Sequence, residues 1–433
     1  MRTPLRKTLF SLFLVLLPLG SNASNHLDIF EHATNSTTLI HSKVIHGFSE
    51  DEDAESSNEG AGFLIDKELG LVMTNAHVAG RGHSEVHLRF YKQTRFTMAE
   101  KLFVDPYHDI AILKIQNNAI PENARELSLD CEYQPSRGEE IFAIGHPERT
   151  KFQITRGVIS GEHDDNVDGI FWSTDLVIEP GSSGGAAISL NTGRVVGIST
   201  AGWDESDISL LTKASNACLI INPIKKGLSG KRPLLGFHQM IVNGFLSNRV
   251  GLVYDDSLPL KPKDIITSWD YGKSWDVKNT PNFADLLRGY DKTHVEITIK
   301  RGDKDHSFEI PLQEGFSHNT RKWVYFSGLT FSETLQEDGN RLIDYYPKKV
   351  IRLQTKRYDE SEIAGMEVRR LAILHSVNDV EINSIEELVS ILKGLSTTRD
   401  RATFIFNASD LTPEAMRYMF SRDILVKDLE TNI

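Results

Sequence analysis

Residues 174–185 read TDLVIEPGSSGG, and Ser183 directly precedes a glycine pair. A tetrahedral intermediate at such a serine develops an oxyanion, which needs preorganised hydrogen-bond donors. The backbone N–H groups of Gly181, Ser182 and Ser183 are the expected donors, because glycine permits the tight turn that aims them at one point. Alone, such a turn is more often an ordinary loop, so the stretch makes Ser183 a candidate nucleophile that needs partners elsewhere in the chain.

Two earlier segments supply partners for this serine. They are residues 74–78 (TNAHV), which contain His77, and residues 108–113 (HDIAIL), which contain Asp109. A serine hydroxyl is a poor nucleophile at neutral pH unless a base takes its proton and a third group fixes the tautomer of that base. The order His, Asp, Ser therefore predicts a triad in which His77 is the base and Asp109 orients it.

The region around these segments has the pattern of an all-β domain. Residues 24–225 contain short apolar runs between turns, such as 62–65, 71–74 and 110–115, and no long helical period. Many short strands with turn signals between them are typical of a β-barrel or β-sandwich. We expect the triad to lie in such a domain.

Length and charge exclude several other classes of protein. The 433 residues are too many for one compact core. Acidic residues number 60 and basic residues 48, and the net charge of −12 argues against nucleic acid or an anionic membrane surface as the main partner. No internal apolar stretch approaches the ~20 residues that span a bilayer.

The N-terminus has the pattern of a targeting segment. Basic residues precede an apolar run at 9–19, and small residues occupy positions 21 and 23, the two that a signal peptidase inspects. This predicts a secretory signal peptide over residues 1–23, cut after Ala23; the run is short for a membrane anchor. Export implies an oxidising compartment, yet Cys131 and Cys218 are the only cysteines. Whether they pair is left open by the sequence.

The second half of the chain contains two small units that mix strands with a helix. In the first, Thr280 is the expected N-cap of a helix, with proline at the next position. In the second, Ser384 and Glu387 form a capping box, and Gly394 is expected to end the helix. We expect a linker at 227–232 before these units.

The motifs resemble those of the HtrA/Deg family of serine proteases. The family pattern around the serine is T-D-x-x-I-N-P-G-N-S-G-G, and this chain has Glu179 and Ser182 in place of the two asparagines. Residues 60–66 (GAGFLID) resemble G-S-G-F-I-I-D. Residues 143–147 (AIGHP) resemble A-I-G-N-P, with His146 in place of the asparagine.

The resemblance implies a fold and a division into domains. It implies an all-β, chymotrypsin-like double β-barrel protease domain at 24–226, followed by two small α+β domains. These are a PDZ domain at 231–313 and a divergent PDZ-like domain at 320–433, which is similar to the second PDZ domain of plant organellar Deg proteases. Residues 235–237 (LGF) resemble a PDZ carboxylate-binding loop, so Leu235, Gly236 and Phe237 are expected to bind peptide.

The resemblance also implies a primary specificity pocket. Its floor would lie six residues before the nucleophile, at Val177, and its opposite wall near Ile198, Ser199 and Thr200. A floor without an acid would leave a substrate Lys or Arg buried and unpaired. We expect small or medium apolar residues at P1, the substrate residue before the cleaved bond.

The function implied is an exported serine endopeptidase that degrades unfolded or damaged proteins. Expected partners are unfolded polypeptides and peptide C-termini, with assembly as a homotrimer or larger homo-oligomer. The periplasm is the expected location, with secretion beyond it left open. No cofactor, metal, nucleic acid or membrane span of the mature chain is expected.

Two other functions fit parts of the sequence. The first is a catalytically inactive chaperone or adaptor that binds unfolded polypeptides through its PDZ modules, which an intact triad disfavours. The second is a metalloenzyme, because His83 and His87 are four residues apart. That stretch is predicted to be a strand, in which such residues lie about 13 Å apart, and it lacks the H-E-x-x-H pattern.

Overall fold

The computed structural model of the chain describes residues 21–46, 56–147, 150–162, 171–202, 208–242, 245–253, 255–269, 282–313, 322–333, 351–356, 372–398, 400–407, 419–431 and 433. The predicted signal peptide lies outside the described residues except for its last three positions. The predicted N-cap Thr280 lies outside them as well.

The first barrel is closed by six antiparallel strands in the order β1-β2-β3-β6-β5-β4. A helix precedes it and a single helical turn follows β3. The elements are α1 Ser21–Ser36, β1 Thr37–His46, β2 Ser56–Asp66, β3 Leu71–Thr74, α2 Ala76–Ala79, β4 His83–Phe90, β5 Thr97–Asp105 and β6 Ile110–Lys114.

The second barrel is closed in the order β10-β11-β12-β9-β8-β7, after a connection that contains the 3₁₀ helix Asn117–Ala119. A helix, α3, leaves it toward the second half of the chain. The elements are β7 Glu140–Gly145, β8 Gln153–Glu162, β9 Phe171–Thr174, β10 Ala186–Ser189, β11 Val195–Gly202, β12 Ser209–Lys213 and α3 Ala214–Lys225.

Strand β2 shows how one apolar run builds two cores. Successive side chains of a strand point to opposite faces. Leu64 packs with Ile40 inside the first barrel. Phe63 and Ile65 belong to the cluster between the barrels, which also contains Phe142 of the second barrel. The uninterrupted apolar run is needed because both faces of the strand are buried.

A disulfide joins Cys131 in the connection between the barrels to Cys218 on α3. The sequence left this pairing open, and the structure pairs them. Cys218 is buried in the cluster between the barrels and Cys131 packs against it. The bond therefore fixes the helix that leads out of the second barrel.

Two further units follow, each a sheet with one helix. The third unit has the strand order β13-β14-β15-β16-β17 and contains β13 Phe237–Val242, β14 Phe245–Val253, β15 Ile265–Trp269, α4 Phe283–Leu286, β16 His294–Arg301 and β17 Lys304–Pro311. The fourth has the order β24-β23-β21-β20-β19-β18-β25, with β22 paired to β21. It contains β18 Trp323–Phe326, β19 Leu329–Glu333, β20 Ile351–Lys356, β21 Ile373–Val377, β22 Val380–Glu381, α5 Ile385–Thr398, β23 Arg401–Asn407, β24 Met419–Leu425 and β25 Glu430–Thr431.

The predicted fold class is confirmed, but several helices differ from expectation. In the third unit the N-cap is Asn282, whose side chain accepts from the backbone of Ala284 and Asp285. One half of the capping box of α5 is present, since Ser384 accepts from the Glu387 N–H. The Glu387 carboxylate accepts from the N–H of Asn383 and not from that of Ser384. The predicted end of α5 at Gly394 is wrong.

Helix α5 continues past Gly394 because that glycine keeps helical backbone and Leu395 packs on the core beyond it. The absence of helix expected within 24–225 is also wrong, because α1 and α3 are both present. None of the helices in the described residues is long and apolar enough to cross a membrane.

Candidate active site

His77 and Asp109 are brought together by the pairing of two neighbouring strands. β3 pairs with β6 so that Thr74 lies opposite Ala111. His77 follows β3 on the helical turn α2, and Asp109 directly precedes β6. The two side chains therefore leave the same end of the first barrel.

Asp109 fixes both the backbone and the ring of His77. The His77 N–H donates to Asp109 Oδ1 at 3.0 Å, and Nδ1–H donates to Oδ2 at 2.6 Å. Because Asp109 oxygen can only accept, the ring carries its proton on Nδ1 and presents the lone pair of Nε2. That is the tautomer that a general base requires.

The carboxylate form of Asp109 is favoured by its surroundings. Burial alone would raise its pKa, but the charge interactions with His77 and Arg81, together with the hydrogen bonds from His77, hold the pKa below its ordinary value. Asp109 also lies in the left-handed backbone region, with φ of 54°. Non-glycine residues are uncommon in that region.

Ser183 lies in a turn that both barrels hold. Its carbonyl accepts from the N–H of Ala61 on β2 at 2.7 Å, and the next N–H, of Gly184, donates to Ser199 on β11 at 2.7 Å. Gly184 has φ of 87°, and a Cβ there would lie 2.2 Å from the Ala61 carbonyl. Only glycine fits this position, which explains the glycine after the serine.

The hydroxyl of Ser183 donates to the carbonyl of Thr200 at 3.1 Å. Within the described part of the chain, no hydrogen bond joins it to the ring of His77. Asn75 connects the partner of each group: its amide donates to the Asp109 carbonyl at 2.9 Å and to Thr200 Oγ1 at 3.4 Å. Catalytic hydrogen bonds are often long or misaligned before substrate binds.

The sequence did not single out Asn75 or Arg81. Asn75 is fully buried, and Arg81 Nη2 lies 3.5 Å from Asp109 Oδ1. The sequence signal for Asn75 is limited to an asparagine two positions before the base. Nothing local marks Arg81, because its role depends on the approach of the Asp109 loop.

Two of the three expected oxyanion donors remain available. The N–H of Ser182 donates to the Glu179 carbonyl at 2.9 Å, so the assignment of Ser182 as a donor is not supported. Among the described residues, the N–H groups of Gly181 and Ser183 donate to no protein acceptor. Gly181 has φ of 95°, which requires glycine.

The four residues expected to form the primary pocket differ in their exposure to solvent. The side chain of Val177 is 59% exposed, so no enclosed floor surrounds it. The side chains of Ile198 and Ser199 are fully buried, because Ile198 packs between the barrels and Ser199 holds the nucleophile turn through its backbone. Neither side chain lines an open wall. Thr200 is partly buried beside Ser183.

The expected carboxylate-binding loop precedes an edge strand. Leu235 and Phe237 are buried in the core of the third unit, and Gly236 between them has φ of 75°. β13, which begins at Phe237, is the outer strand in its sheet. Peptide binding at this loop stays a prediction.

A buried charged cluster joins the third unit to the segment that carries Asp109. The guanidinium of Arg288, after α4, donates to Asp105 at the end of β5 and to Asp285 on α4. His108 lies between the two acids, with Nδ1 3.3 Å from Asp105 Oδ2 and Nε2 3.5 Å from Asp285 Oδ2. Asp105, His108, Asp285 and Arg288 are all buried.

The two acids of this cluster stay ionised. Burial alone would raise the pKa of Asp105, and the charges of Arg288 and His108 hold that pKa well below its usual range. The pKa of Asp285 is also lowered, against its burial, by Arg232, His108 and Arg288. The cluster therefore anchors the third unit beside the Asp109 loop.

His83 and His87 lie on strand β4, as the sequence predicts. Among the residues that the structure describes, no group of three or more His, Cys, Asp or Glu side chains is arranged to hold a metal ion.

Comparison with known proteins identifies the domain that holds this site. Residues 60–198 match the family described as "Trypsin-like peptidase domain". The chain contains a trypsin-like peptidase domain. The match begins in β2, next to the nucleophile turn, and ends at Ile198 in β11, so it covers all three residues of the proposed triad.

The sequence relatives of this chain are named as serine proteases. A "Probable periplasmic serine endoprotease DegP-like" of Hahella chejuensis is 28% identical over 278 residues, covering 59% of this chain and 57% of that protein. A "Probable periplasmic serine protease do/HhoA-like" of Haemophilus influenzae is 25% identical, covering 77% and 73%. "Protease Do-like 1, chloroplastic" of Arabidopsis thaliana is 27% identical, covering 66% and 71%. The chain spans little more than half of the Hahella protein.

Solved structures share the fold of this chain. "HtrA-type protease AlgW with decapeptide" aligns with a TM-score of 0.51 and 20% identity, covering 67% of this chain and 98% of that one. The same protease with a tripeptide aligns with a TM-score of 0.50 and 21% identity, covering 68% and 97%. At this identity the likeness concerns the fold.

Proposed function

We propose that the chain is a serine endopeptidase in which Ser183 attacks a peptide carbonyl. The observation that carries this is the bonding of His77 to Asp109 beside a serine turn held by both barrels. His77 Nε2 takes the proton of the Ser183 hydroxyl and later gives it to the leaving amine. Asp109 stabilises the imidazolium formed in between.

The oxyanion of the tetrahedral intermediate binds the N–H groups of Gly181 and Ser183. Among the described residues, neither N–H donates to a protein acceptor. Gly181 also has the positive φ that the turn needs. Attack requires the Ser183 hydroxyl to leave the Thr200 carbonyl and turn to His77 Nε2. A serine hydroxyl changes direction by rotation about its Cα–Cβ bond between staggered rotamers. We expect the hydroxyl to rotate when substrate binds, because catalytic hydrogen bonds often become aligned only in the enzyme–substrate complex.

We propose unfolded or damaged polypeptides as substrates and the periplasm as the location. The names of the bacterial relatives support the location, since they are described as periplasmic. The outer strand β13 and its Gly236 turn support capture of peptide C-termini by strand addition. Assembly as a homotrimer or larger oligomer stays a prediction of the resemblance.

Covalent labelling tests the nucleophile. A fluorophosphonate probe is expected to modify the folded wild-type chain, and peptide mass mapping is expected to place the adduct on Ser183. Matched controls are the Ser183→Ala variant and wild-type protein unfolded in urea, neither of which should react. A folded chain that does not react and does not cleave unfolded casein would instead be the inactive chaperone or adaptor.

The substrate preference gives a second prediction. In a series of chromogenic peptides that differ only at P1, kcat/KM is expected to be at least about tenfold higher for Val than for Arg. Val177 is exposed in the free chain, so burial of a P1 side chain against it has to come from the bound substrate itself. Valine supplies no acid, and a P1 cation buried there without a partner would be costly. Faster cleavage after Arg would contradict this preference, while leaving the proposed reaction intact.

A further inference from the structure

His146 lies directly against the oxyanion turn. It follows the last residue of β7, Gly145, at which a Cβ would lie 2.5 Å from Ser182 Oγ. The His146 N–H donates to the Gly181 carbonyl at 3.2 Å. The His146 carbonyl lies so close to Gly181 that a Cβ there would be 2.3 Å from it. The backbone of His146 therefore fixes the position of Gly181 by a bond and by a close contact.

The imidazole of His146 connects this point to two other segments. The side chain is fully buried. Nε2 lies 3.0 Å from the carbonyl of Thr38 on β1 of the first barrel, and Nδ1 lies 3.0 Å from the N–H of Phe152, which precedes β8. A carbonyl can only accept and a backbone N–H can only donate. The ring therefore carries one proton, on Nε2, and is neutral.

Phe152 contacts His146 through both its backbone and its ring. Its backbone has φ of 59°, which is uncommon for a bulky residue, and its ring meets the imidazole edge-on at 4.5 Å. The imidazole thus ties the loop before β8, the first barrel and the oxyanion turn into one unit. A protonated ring would place a second donor, Nδ1–H, against the Phe152 N–H and would break that bond.

The charges around His146 also favour the neutral ring. Lys151 and Arg89 are the nearby cations, and Arg89 lies over the Phe152 ring at 5.8 Å. Glu59 is the nearby anion, and its charge is shared between Lys151 and His41. Burial first, then Lys151 and Arg89, lower the pKa of His146 to about 4, against the Thr38 and Glu59 contributions that raise it.

We propose that His146 is a positioning residue of the oxyanion turn, and that protonation of its ring loosens the turn and lowers the activity of the peptidase in acid. The proposal rests on the proposed function. The amide of asparagine, which the related motif has at this place, offers one donor and one acceptor but does not titrate. This chain therefore gains a proton-sensitive contact where the motif has an insensitive one.

The first part of the test separates positioning from folding. His146→Phe keeps the ring but removes both hydrogen bonds, and at pH 8 it is expected to lower kcat about 10²-fold with KM within about twofold, because the lost alignment acts on the transition state. His146→Asn is expected to restore kcat to within about fivefold of wild type. A His146→Phe variant that keeps full kcat, or a loss that asparagine does not restore, would overturn the proposal.

The second part measures protonation without requiring activity. The unfolded histidine binds a proton near pH 6.5 and the folded one only near pH 4, so the stability that neutral His146 contributes is complete above pH 6.5 and declines as the pH falls toward 4. The urea midpoint of wild type is expected to fall between pH 7 and pH 5 by more than that of His146→Asn. The control His294→Asn, at an exposed histidine of the third unit, should keep the wild-type change.

Equal changes in wild type and His146→Asn would overturn the proton-linked part of the proposal. Failure of the proposed function is a different result, because wild type itself would then cleave no peptide at pH 8 while the unfolding comparison still reports on His146.

Discussion

The Asp109→Asn variant is expected to lose about 10⁴-fold in kcat with little change in KM. Asp109 accepts from both the backbone N–H and the ring Nδ1–H of His77. An amide in its place presents an NH₂ group to one of these donors, which favours the ring tautomer protonated on Nε2. That tautomer cannot take the Ser183 proton, and the charge that stabilises the imidazolium is also lost.

The measurement is steady-state kinetics on one chromogenic peptide at pH 8, with far-UV circular dichroism to show that both proteins are folded. Asp130→Asn is the matched control, because Asp130 is a partly exposed acid of the connection between the barrels, paired with Arg194 at 3.6 Å. Its kcat should stay within about twofold of wild type. If Asp109→Asn kept more than a tenth of the wild-type kcat, Asp109 would not be the group that orients the base.

The Arg288→Met variant is expected to lower the free energy of unfolding by about 3–5 kcal/mol. Arg288 donates to Asp285 at 2.9 Å and to the Gly230 carbonyl at 2.6 Å, and it also donates to Asp105. Methionine fills similar space but removes the main charge partner of buried Asp105. It also removes one of the three partners of buried Asp285, which keeps Arg232 and His108. A buried charge without a partner is far more costly than an exposed one.

Urea unfolding of the full chain at pH 7.5 measures this effect. Lys322→Met is the control, because its pair with Glu386 is exposed and such pairs contribute only about 0–1 kcal/mol. Adding Asp105→Asn to Arg288→Met should recover part of the loss, because it neutralises the carboxylate whose main charge partner is Arg288. A loss below about 1 kcal/mol in Arg288→Met would show that the cluster does not hold the third unit to the peptidase.

The parts of the fold that follow from local pattern could be predicted. The run that contains Phe63 and Leu64 is apolar on both faces, which indicates a strand buried on both sides, and the structure uses it in two cores. The glycines beside Ser183 indicate a constrained turn, and Gly184 has no room for a side chain. The triad residues could be chosen for the same reason, because their chemistry needs those residue types.

The rest depends on segments that are distant in the sequence. The burial of Ile198 is set by the packing of one barrel on the other, which no local pattern reveals. Asp105 meets Arg288 across 183 positions, and Thr38 meets His146 across 108. Helix α1 has few apolar residues, and it is held because Phe30 and Ala33 pack on the barrels.

The bond between Cys131 and Cys218 encloses Ser183 but neither His77 nor Asp109. A peptidase that encounters other copies of itself is exposed to nicking, and a single cut anywhere between the two cysteines would leave both fragments covalently attached. Such a nicked molecule would run at its full length on a non-reducing gel and separate only after thiol treatment. Cleavage in the segment that carries Ser183 would therefore be invisible on a non-reducing gel and would show only after reduction of the disulfide.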